Sequence, residues 1–348
     1  MKILVPFWFL GKWIDIYLKL DWQGASFHVV YIEGRLKQEW TRARRFSFHK
    51  VELPYSFLGS RMARFHLSRR KLHSQVRNID PDVIFTLSNV WVQEFSRYCS
   101  GRMGVPYVVR LRGNHRELRK ARKVNVIKAK ALNYLETRSL KKANLVIPIS
   151  RKLAEKAEEW GVEKEKITLP VHNGVDNGMF RPMKVKRSKE FTVAYAGRIS
   201  SAKRASHLLK IADKLPNTPF IIAGEKKVDV AFPRNVEYFG RLQFSEMPKF
   251  YNKADLVVLP SISEGFPNVI LEAYACGKPV LVAREAFPEE LEVFGSVADL
   301  GDFETEIEAL KRADLKTLGQ QARSYVKKYY SWKKFSESIL KHLENVVS

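Results

Sequence analysis

Residues Ala254–Ala283 read ADLVVLPSISEGFPNVILEAYACGKPVLVA, and this stretch decides the fold. The apolar run Leu256–Leu259 has the length of a buried strand. Gly265 and Pro267 mark a turn, a short helix closed by Gly277 follows, and Pro279–Ala283 is a second buried strand. A helix crossing between two apolar strands implies a right-handed parallel unit. The loop leaving the first strand then lies outside the carboxyl edge of the sheet, where open α/β sheets bind ligands. Two carboxylates, Glu264 in the loop and Glu272 just past the first helical turn, bracket that place. The free amides of Asn268, Val269 and Ile270 point between them and favour a phosphate, the helix dipole adding about 0.3–1 kcal/mol. Carboxylates beside an anion site need another task, and accepting hydrogen bonds from sugar or ribose hydroxyls is the obvious one. The site suits a nucleotide sugar. An isolated pair of this kind would read as a solvated loop acid and a helix-surface acid, so the rest of the chain has to decide.

At 348 residues the chain exceeds the usual limit for one hydrophobic core, and two domains of about 170 residues are expected. Short apolar runs alternate with longer helical patterns, which points to two parallel-sheet domains. In the first half the runs are Ile3 to Val5, Phe27 to Ile32, Val83 to Leu87, Tyr107 to Leu111 and Leu145 to Ile149; in the second, Phe191 to Ala196, Phe220 to Ala223, Leu256 to Leu259 and Val280 to Ala283.

A second block, AYAGRISSAK over Ala194–Lys203, carries Gly197, Arg198 and Lys203 after one of these runs. With Glu264 to Val280 it resembles the GT-B glycosyltransferases of the retaining family-4 type. Those have Gly-Arg-Leu-x-x-x-Lys in the first block and, in the second, Ser-x-x-Glu-Gly-Phe followed by Glu-Ala-x-Ala-x-Gly-x-Pro-Val, the two Glu separated by seven residues. The likeness covers roughly Phe191 to Ala283. It implies an α/β fold of two Rossmann-like, doubly wound parallel-sheet domains facing a cleft, and transfer of a sugar with retention of configuration from a UDP- or GDP-sugar, with no cofactor besides that substrate. It implies that Arg198 and Lys203 clamp the donor diphosphate, that Glu272 holds the ribose and that Glu264 binds hydroxyls of the transferred sugar, with Gly197, Gly265, Phe266, Asn268 and Val269 lining the donor site. The position after Phe266 is often Gly in the family and is Pro267 here; proline suits a first helical position, so the difference bears on the sugar more than on the fold.

The resemblance also sets the expected domains. Asn173 to Asp176 looks like the family's Asn-Gly-Val-Asp loop, closing an acceptor-binding domain over residues 1–176. The basic stretch Lys184 to Lys189 reads as a linker into a nucleotide-sugar domain over 177–329. The pattern Trp332, Phe335, Ile339, Leu340, Leu343 reads as an amphipathic helix, and by resemblance residues 330–348 cross back to the first domain. In that domain Arg112, Asn114 and His115 follow the strand Tyr107 to Leu111 and lie at a carboxyl edge. Many family members carry a His here near the transferring sugar, which makes His115 a catalytic candidate beside Glu264, Arg198 and Lys203; a surface histidine in a basic loop is the plain alternative. Where the family often has a Gly-Gly loop after the first strand, this chain has only Gly11, so Gly11 and Lys12 join Arg112 and Asn114 as acceptor-side candidates.

The net charge of +24 is uneven: residues 1–142 hold 29 Lys or Arg against 10 Asp or Glu. Arg35 to Arg77 and Arg110 to Lys142 each have 12 basic and 2 acidic residues. The second segment reads as helical, with Leu118, Ala121, Val124, Ala131 and Leu135 as an apolar stripe and Arg119, Lys120, Arg122 and Lys123 as its charge. Such a surface suits an anionic membrane, a nucleic acid or plain solvation. Phe7, Trp8, Phe9, Trp13, Trp22 and Trp40 are aromatic candidates for an interface or for the core. Family members acting on lipid-linked acceptors often sit on anionic membranes, so the expectation is a cytoplasmic enzyme attached to the inner face of the cell membrane, with a lipid-linked acceptor or cell-surface glycan precursor. No RNP, KH or helix-turn-helix pattern supports a specific nucleic-acid partner, although a basic nucleic-acid-binding α/β protein and a GT-B relative such as an epimerase stay open. Cys99 and Cys276 fall at helix ends in different domains, which argues against a disulfide framework. The run Ile3 to Leu10 is too short for a signal core or a span and reads as the first strand, and no other segment approaches 18 apolar residues. No metal site is expected: Asp80-Pro81-Asp82 precedes its strand, at the amino edge, and reads as a turn.

Overall fold

The computed structural model describes residues 1–9, 14, 17, 18, 20–33, 36–51, 70, 73–87, 90–121 and 123–348. They form two compact units, Met1–Val171 with Phe335–Ser348, and His172–Lys334. Gly11, Lys12, Trp13 and Arg122 lie outside the described residues.

The first unit holds β1 (Lys2–Phe9), β2 (Ser26–Glu33), β3 (Phe46–Lys50), β4 (Val83–Thr86), β5 (Tyr107–Leu111) and β6 (Leu145–Pro148), all parallel in the order β3-β2-β1-β4-β5-β6. The second holds β7 (Val193–Ala196), β8 (Phe220–Ala223), β9 (Val236–Tyr238), β10 (Leu256–Leu259), β11 (Val280–Ala283) and β12 (Gly295–Ala298), parallel in the order β12-β11-β10-β7-β8-β9. Counted within each unit, both sheets have the doubly wound order 3-2-1-4-5-6, whose direction reverses between β1 and β4 and between β7 and β10. The nine expected strands are present. The three not anticipated, β3, β9 and β12, sit at sheet edges and are largely half-exposed, so they show no continuous apolar run.

Both sheets bury their central strands on two faces. In the second unit Val193, Tyr195, Ile222, Val258 and Leu281 pack with Leu208, Phe303 and Ile307 from flanking helices. In the first, Trp22 and Trp40 are core residues, 1% and 4% exposed. Phe7 packs against the Ile14, Val29, Trp40 cluster, so these three aromatics fill the interior instead of offering an interface. Helix Trp332–Val347 buries Phe335, Ile339, Leu340 and Leu343. Phe335 meets Tyr17 edge-on at 5.9 Å and Trp22 at 6.4 Å, which ties Phe335–Ser348 to the first unit, whereas residues 330–334, expected to cross back with them, stay with the second.

Three further sequence readings change. His172–Asp176 belongs to the second unit: Val175 N donates to Tyr330 O at 2.9 Å and Asn173 Nδ2 to Asn268 Oδ1 at 2.8 Å. Lys184–Lys189 is therefore inside that unit, where Arg187 pairs with Asp255 at 2.6 Å, and is no linker. The basic segment after β5 is two helices, His115–Ala121 and Val126–Lys142, because Asn125 accepts from Ile127 N and Lys128 N and caps a new start. Of the expected stripe, Leu135 is buried while Leu118 and Ala131 are exposed; the buried face is Leu135, Glu136, Ser139 and Leu140.

Candidate active site

The two motifs leave the second sheet side by side. Gly197–Lys203 follows β7 and Ser261–Phe266 follows β10, adjacent strands at the point of reversal, so both loops open at the carboxyl edge where doubly wound sheets bind ligands. The loop after β7 is braced from below. Gly197 N donates to Ala223 O and Ile199 N to Glu225 O, each at 2.9 Å, and a Cβ on Gly224 (φ +152°) would lie 1.8 Å from Gly197 O. Only glycine allows the two loops this approach. A Cβ on Gly197 would in turn stand 2.9 Å from the Tyr195 hydroxyl, which donates to Arg198 O at 2.9 Å.

Lys203 Nζ and Glu264 Oε1 form an ion pair, with side chains 21% and 16% exposed. Tyr195 lies close by: burial first, and then the Glu264 carboxylate, push its phenol up, with Arg198 opposing. Arg198, Lys203 and Glu264 thus converge on one place. Glu272 sits on helix Asn268–Ala275, starting after Pro267, and accepts from Tyr251 Oη at 2.7 Å. Tyr251 is buried, and burial together with Glu272 raises its phenol well above the usual range. That contact fixes one carboxylate oxygen and orients the other. Asn268 is held by Asn173, and Phe266 is 5% exposed, stacked on His172 at 4.5 Å and beside Tyr330 at 5.7 Å. Phe266 is a packing residue that positions Gly265 and Glu264; Val269 is half-buried at the helix start.

In the first unit His115 opens helix His115–Ala121, and its Nδ1 lies 3.1 Å from Glu136 Oε1. Glu136 has no exposed side-chain surface and also takes Arg119 Nη2, with Arg116 Nε at 3.8 Å. Burial pushes its carboxyl up, but the His115 and Arg119 contacts outweigh this and hold it below the usual range. His115 is therefore no loose surface residue; it is anchored to a buried carboxylate. Asn114 Oδ1 accepts from Glu117 N at 3.1 Å, so Asn114 caps the helix. Arg112 is lowered by burial, with Tyr17 opposing. Its neighbour on the strand, Arg110, is 1% exposed, lies over the Phe335 ring at 4.7 Å and is lowered to about 10 by burial. Sequence reading passed over Arg110, Tyr17 and Glu136, because a buried arginine inside an apolar strand and a lone glutamate on a basic helix look the same as surface charges until the chain is folded.

Asp80 is left-handed and Asp82 accepts from Lys2 N at 2.6 Å at the amino end of β1, so this pair is a turn away from either carboxyl edge. Among the described residues no three His, Cys, Asp or Glu gather as a metal-binding group. Cys99 and Cys276 are buried free thiols, each raised to about 12 by burial, one in each unit.

Comparisons with known proteins agree with this geometry. The model for glycosyl transferases group 1 matches residues 179–313, and that for Glycosyltransferase Family 4 matches residues 20–178. The D-inositol 3-phosphate glycosyltransferase of Mycobacteroides abscessus is 31% identical over 135 residues, a match spanning 32% of this chain and 30% of that relative. Among solved structures, Anabaena HepE in complex with UDP-glucose superimposes with a TM-score of 0.77 at 17% identity, over 99% of this chain and 100% of that one. The sucrose-phosphate synthase of Thermosynechococcus elongatus gives 0.76 at 16% identity, over 99% of each chain. These two likenesses show the fold. Adjoining family matches from residue 20 to residue 313, two sheets of one topology and both motifs at one point of strand reversal lead to one assignment: the chain belongs to the GT-B glycosyltransferases of the family-4 type.

Proposed function

We propose that this protein transfers a hexose from a UDP- or GDP-sugar to an acceptor hydroxyl, with retention of configuration and without a metal ion. The observation that carries the reading is the convergence of Arg198, Lys203 and Glu264 at the β7/β10 reversal, with Glu272 on the adjoining helix. In this reading the bond from the anomeric carbon to the diphosphate oxygen breaks while the acceptor oxygen bonds to that carbon, and the acceptor proton passes to the departing diphosphate. Arg198 and Lys203 neutralise the charge developing on that leaving group, a role that often dominates catalysis. Glu264 gives up its contact with Lys203 to accept hydroxyls of the sugar, and Glu272, held by Tyr251, accepts from the ribose. His115 is the first unit's candidate for the transferring sugar, with its tautomer set by Glu136. The UDP-glucose complex of HepE and the inositol-phosphate activity named for the mycobacterial relative support a nucleotide-sugar donor and a polyhydroxylated acceptor.

For the acceptor we propose a lipid-linked molecule reached from the cytoplasmic face of a membrane. Val126 and Ile127, 67% and 80% exposed, begin helix Val126–Lys142 between Lys120, Lys123, Lys128 and Lys130, and no helix among the described residues is long and apolar enough to cross a membrane. Apolar side chains ringed by lysines suit an anionic lipid surface. The test of the function is release of nucleoside diphosphate from a panel of UDP- and GDP-sugars, with and without polyol or lipid-extract acceptors. Acceptor-stimulated release from one donor supports the reading, and no release from any donor refutes it.

A further inference from the structure

We propose that Arg204 is a third cation of the donor site, holding the diphosphate beside Arg198 and Lys203; this rests on the donor reading above. Arg204 has φ 49° and ψ 31°, the one non-glycine residue of the second unit with a left-handed backbone among the described residues. It is the N-cap of helix Ala205–Lys214, yet makes no side-chain cap hydrogen bond. A left-handed backbone is strained for any residue with a Cβ, and Gly or Asn visits it most readily. An N-cap favours Ser, Thr, Asp or Asn. Arginine meets neither preference, so nothing in the local backbone accounts for it.

The guanidinium does. Its Nη2 donates to Glu285 Oε1 at 3.0 Å and the side chain is 21% exposed, while Nη1 is shut from solvent with no partner among the described residues. Arg204 follows β7 and Glu285 follows β11, the two strands that flank β10, whose loop carries Glu264. The pair therefore spans the carboxyl edge at the donor motif. A fork fixed by one nitrogen, with a second N–H pair unspent and Lys203 as its chain neighbour, matches the oxygens of a phosphate.

The test is titration of UDP and GDP into the ligand-free wild type, R204G and R204K, with Tm measured for each. R204G relieves the backbone strain and should melt about 2–4 °C higher, yet bind the preferred nucleotide at least about tenfold more weakly. R204K keeps the charge but loses the fork, and should fall between the two in affinity. Equal affinity in wild type and R204G overturns the proposal. So does a drop in Tm alongside the affinity, which makes the arginine a structural strut. If the wild type binds neither nucleotide, the donor reading itself fails, an outcome distinct from equal binding.

Discussion

Replacing Glu264 by alanine separates what this residue contributes to folding from what it contributes to chemistry. In the ligand-free protein it pairs with Lys203, and both side chains are about four-fifths buried, at 21% and 16% exposure. Exposed ion pairs contribute at most about 1 kcal/mol, and breaking a fully buried one costs about 3–5 kcal/mol. Lys203 keeps a route to solvent once its partner is gone, so the cost should lie near the lower bound, about 1–2 kcal/mol. In a unit of this size each kcal/mol moves Tm by about 2–4 °C, so Glu264→Ala should melt about 2–8 °C lower and stay folded. Turnover should fall far more, by at least about 100-fold, because hydrogen bonds made to the transferring sugar are lost along with the orientation of the donor. Lys203→Ala combined with Glu264→Ala should cost less stability than the two single changes added together, since each removes the same pair. The assay is nucleoside diphosphate release with melting curves on the same preparations. Near-normal turnover in Glu264→Ala, or a fall in activity that only tracks the fraction unfolded, refutes the role given to this residue.

If the proposed site is right, activity should survive excess EDTA, with Arg198, Lys203 and the amides of Asn268 and Val269 supplying the positive charge a divalent ion brings elsewhere; loss on chelation with recovery on magnesium or manganese contradicts this. The protein should co-sediment with anionic but not neutral liposomes, reversibly with salt, and changing Lys120, Lys123, Lys128 and Lys130 to Glu together with Ile127→Ser should abolish it, whereas indifference to both liposome types at low salt removes the membrane from the account. Arg119 is left intact in that variant because it is committed to the buried Glu136. Folding stability should fall as pH drops below about 6.5, since His28 and His49, 3.2 Å apart on β2 and β3, both have pKa values lowered by burial, so the unfolded chain binds more protons than the native one. A variant with both histidines replaced by Gln should lose part of that slope between pH 7.5 and 5, the remainder belonging to His73 and His342, whose pKa values burial also lowers; an unchanged slope assigns all of it to other groups.

The parts of the fold legible in the sequence are those buried on both faces. β8, β10 and β11 are continuous apolar runs bounded by turn residues, β5 is one broken only by Arg110, and all four appear in the structure with the expected ends. β3, β9 and β12 were not legible because an edge strand is only half covered and its residues need not be apolar. The unit boundary was misplaced by five residues because Asn173 and Val175 are fixed by Asn268 and Tyr330, contacts between segments about 100 or more positions apart that no local pattern announces. At the candidate site, Arg198, Lys203, Glu264 and Glu272 were proposed from spacing and resemblance. Their supports were not. Tyr195 and Tyr251 look like ordinary strand and helix aromatics, and the backing of Gly197 by Gly224 depends on β7 and β8 being neighbours. The strain at Arg204 is invisible in a string that supplies composition but no dihedral angle.

The claim that the second unit carries a nucleoside diphosphate site at the β7/β10 reversal is tested most directly by thermal shift. UDP, GDP and ADP are added to the ligand-free wild type and to Arg198→Ala. A nucleotide at 100 times its dissociation constant stabilises the native state by about 2.7 kcal/mol, a rise in Tm of about 5–11 °C for a unit of this size. One of the three should produce that rise in the wild type and little or none in Arg198→Ala at the same concentration. No shift with any nucleotide, or equal shifts in the two proteins, contradicts the site.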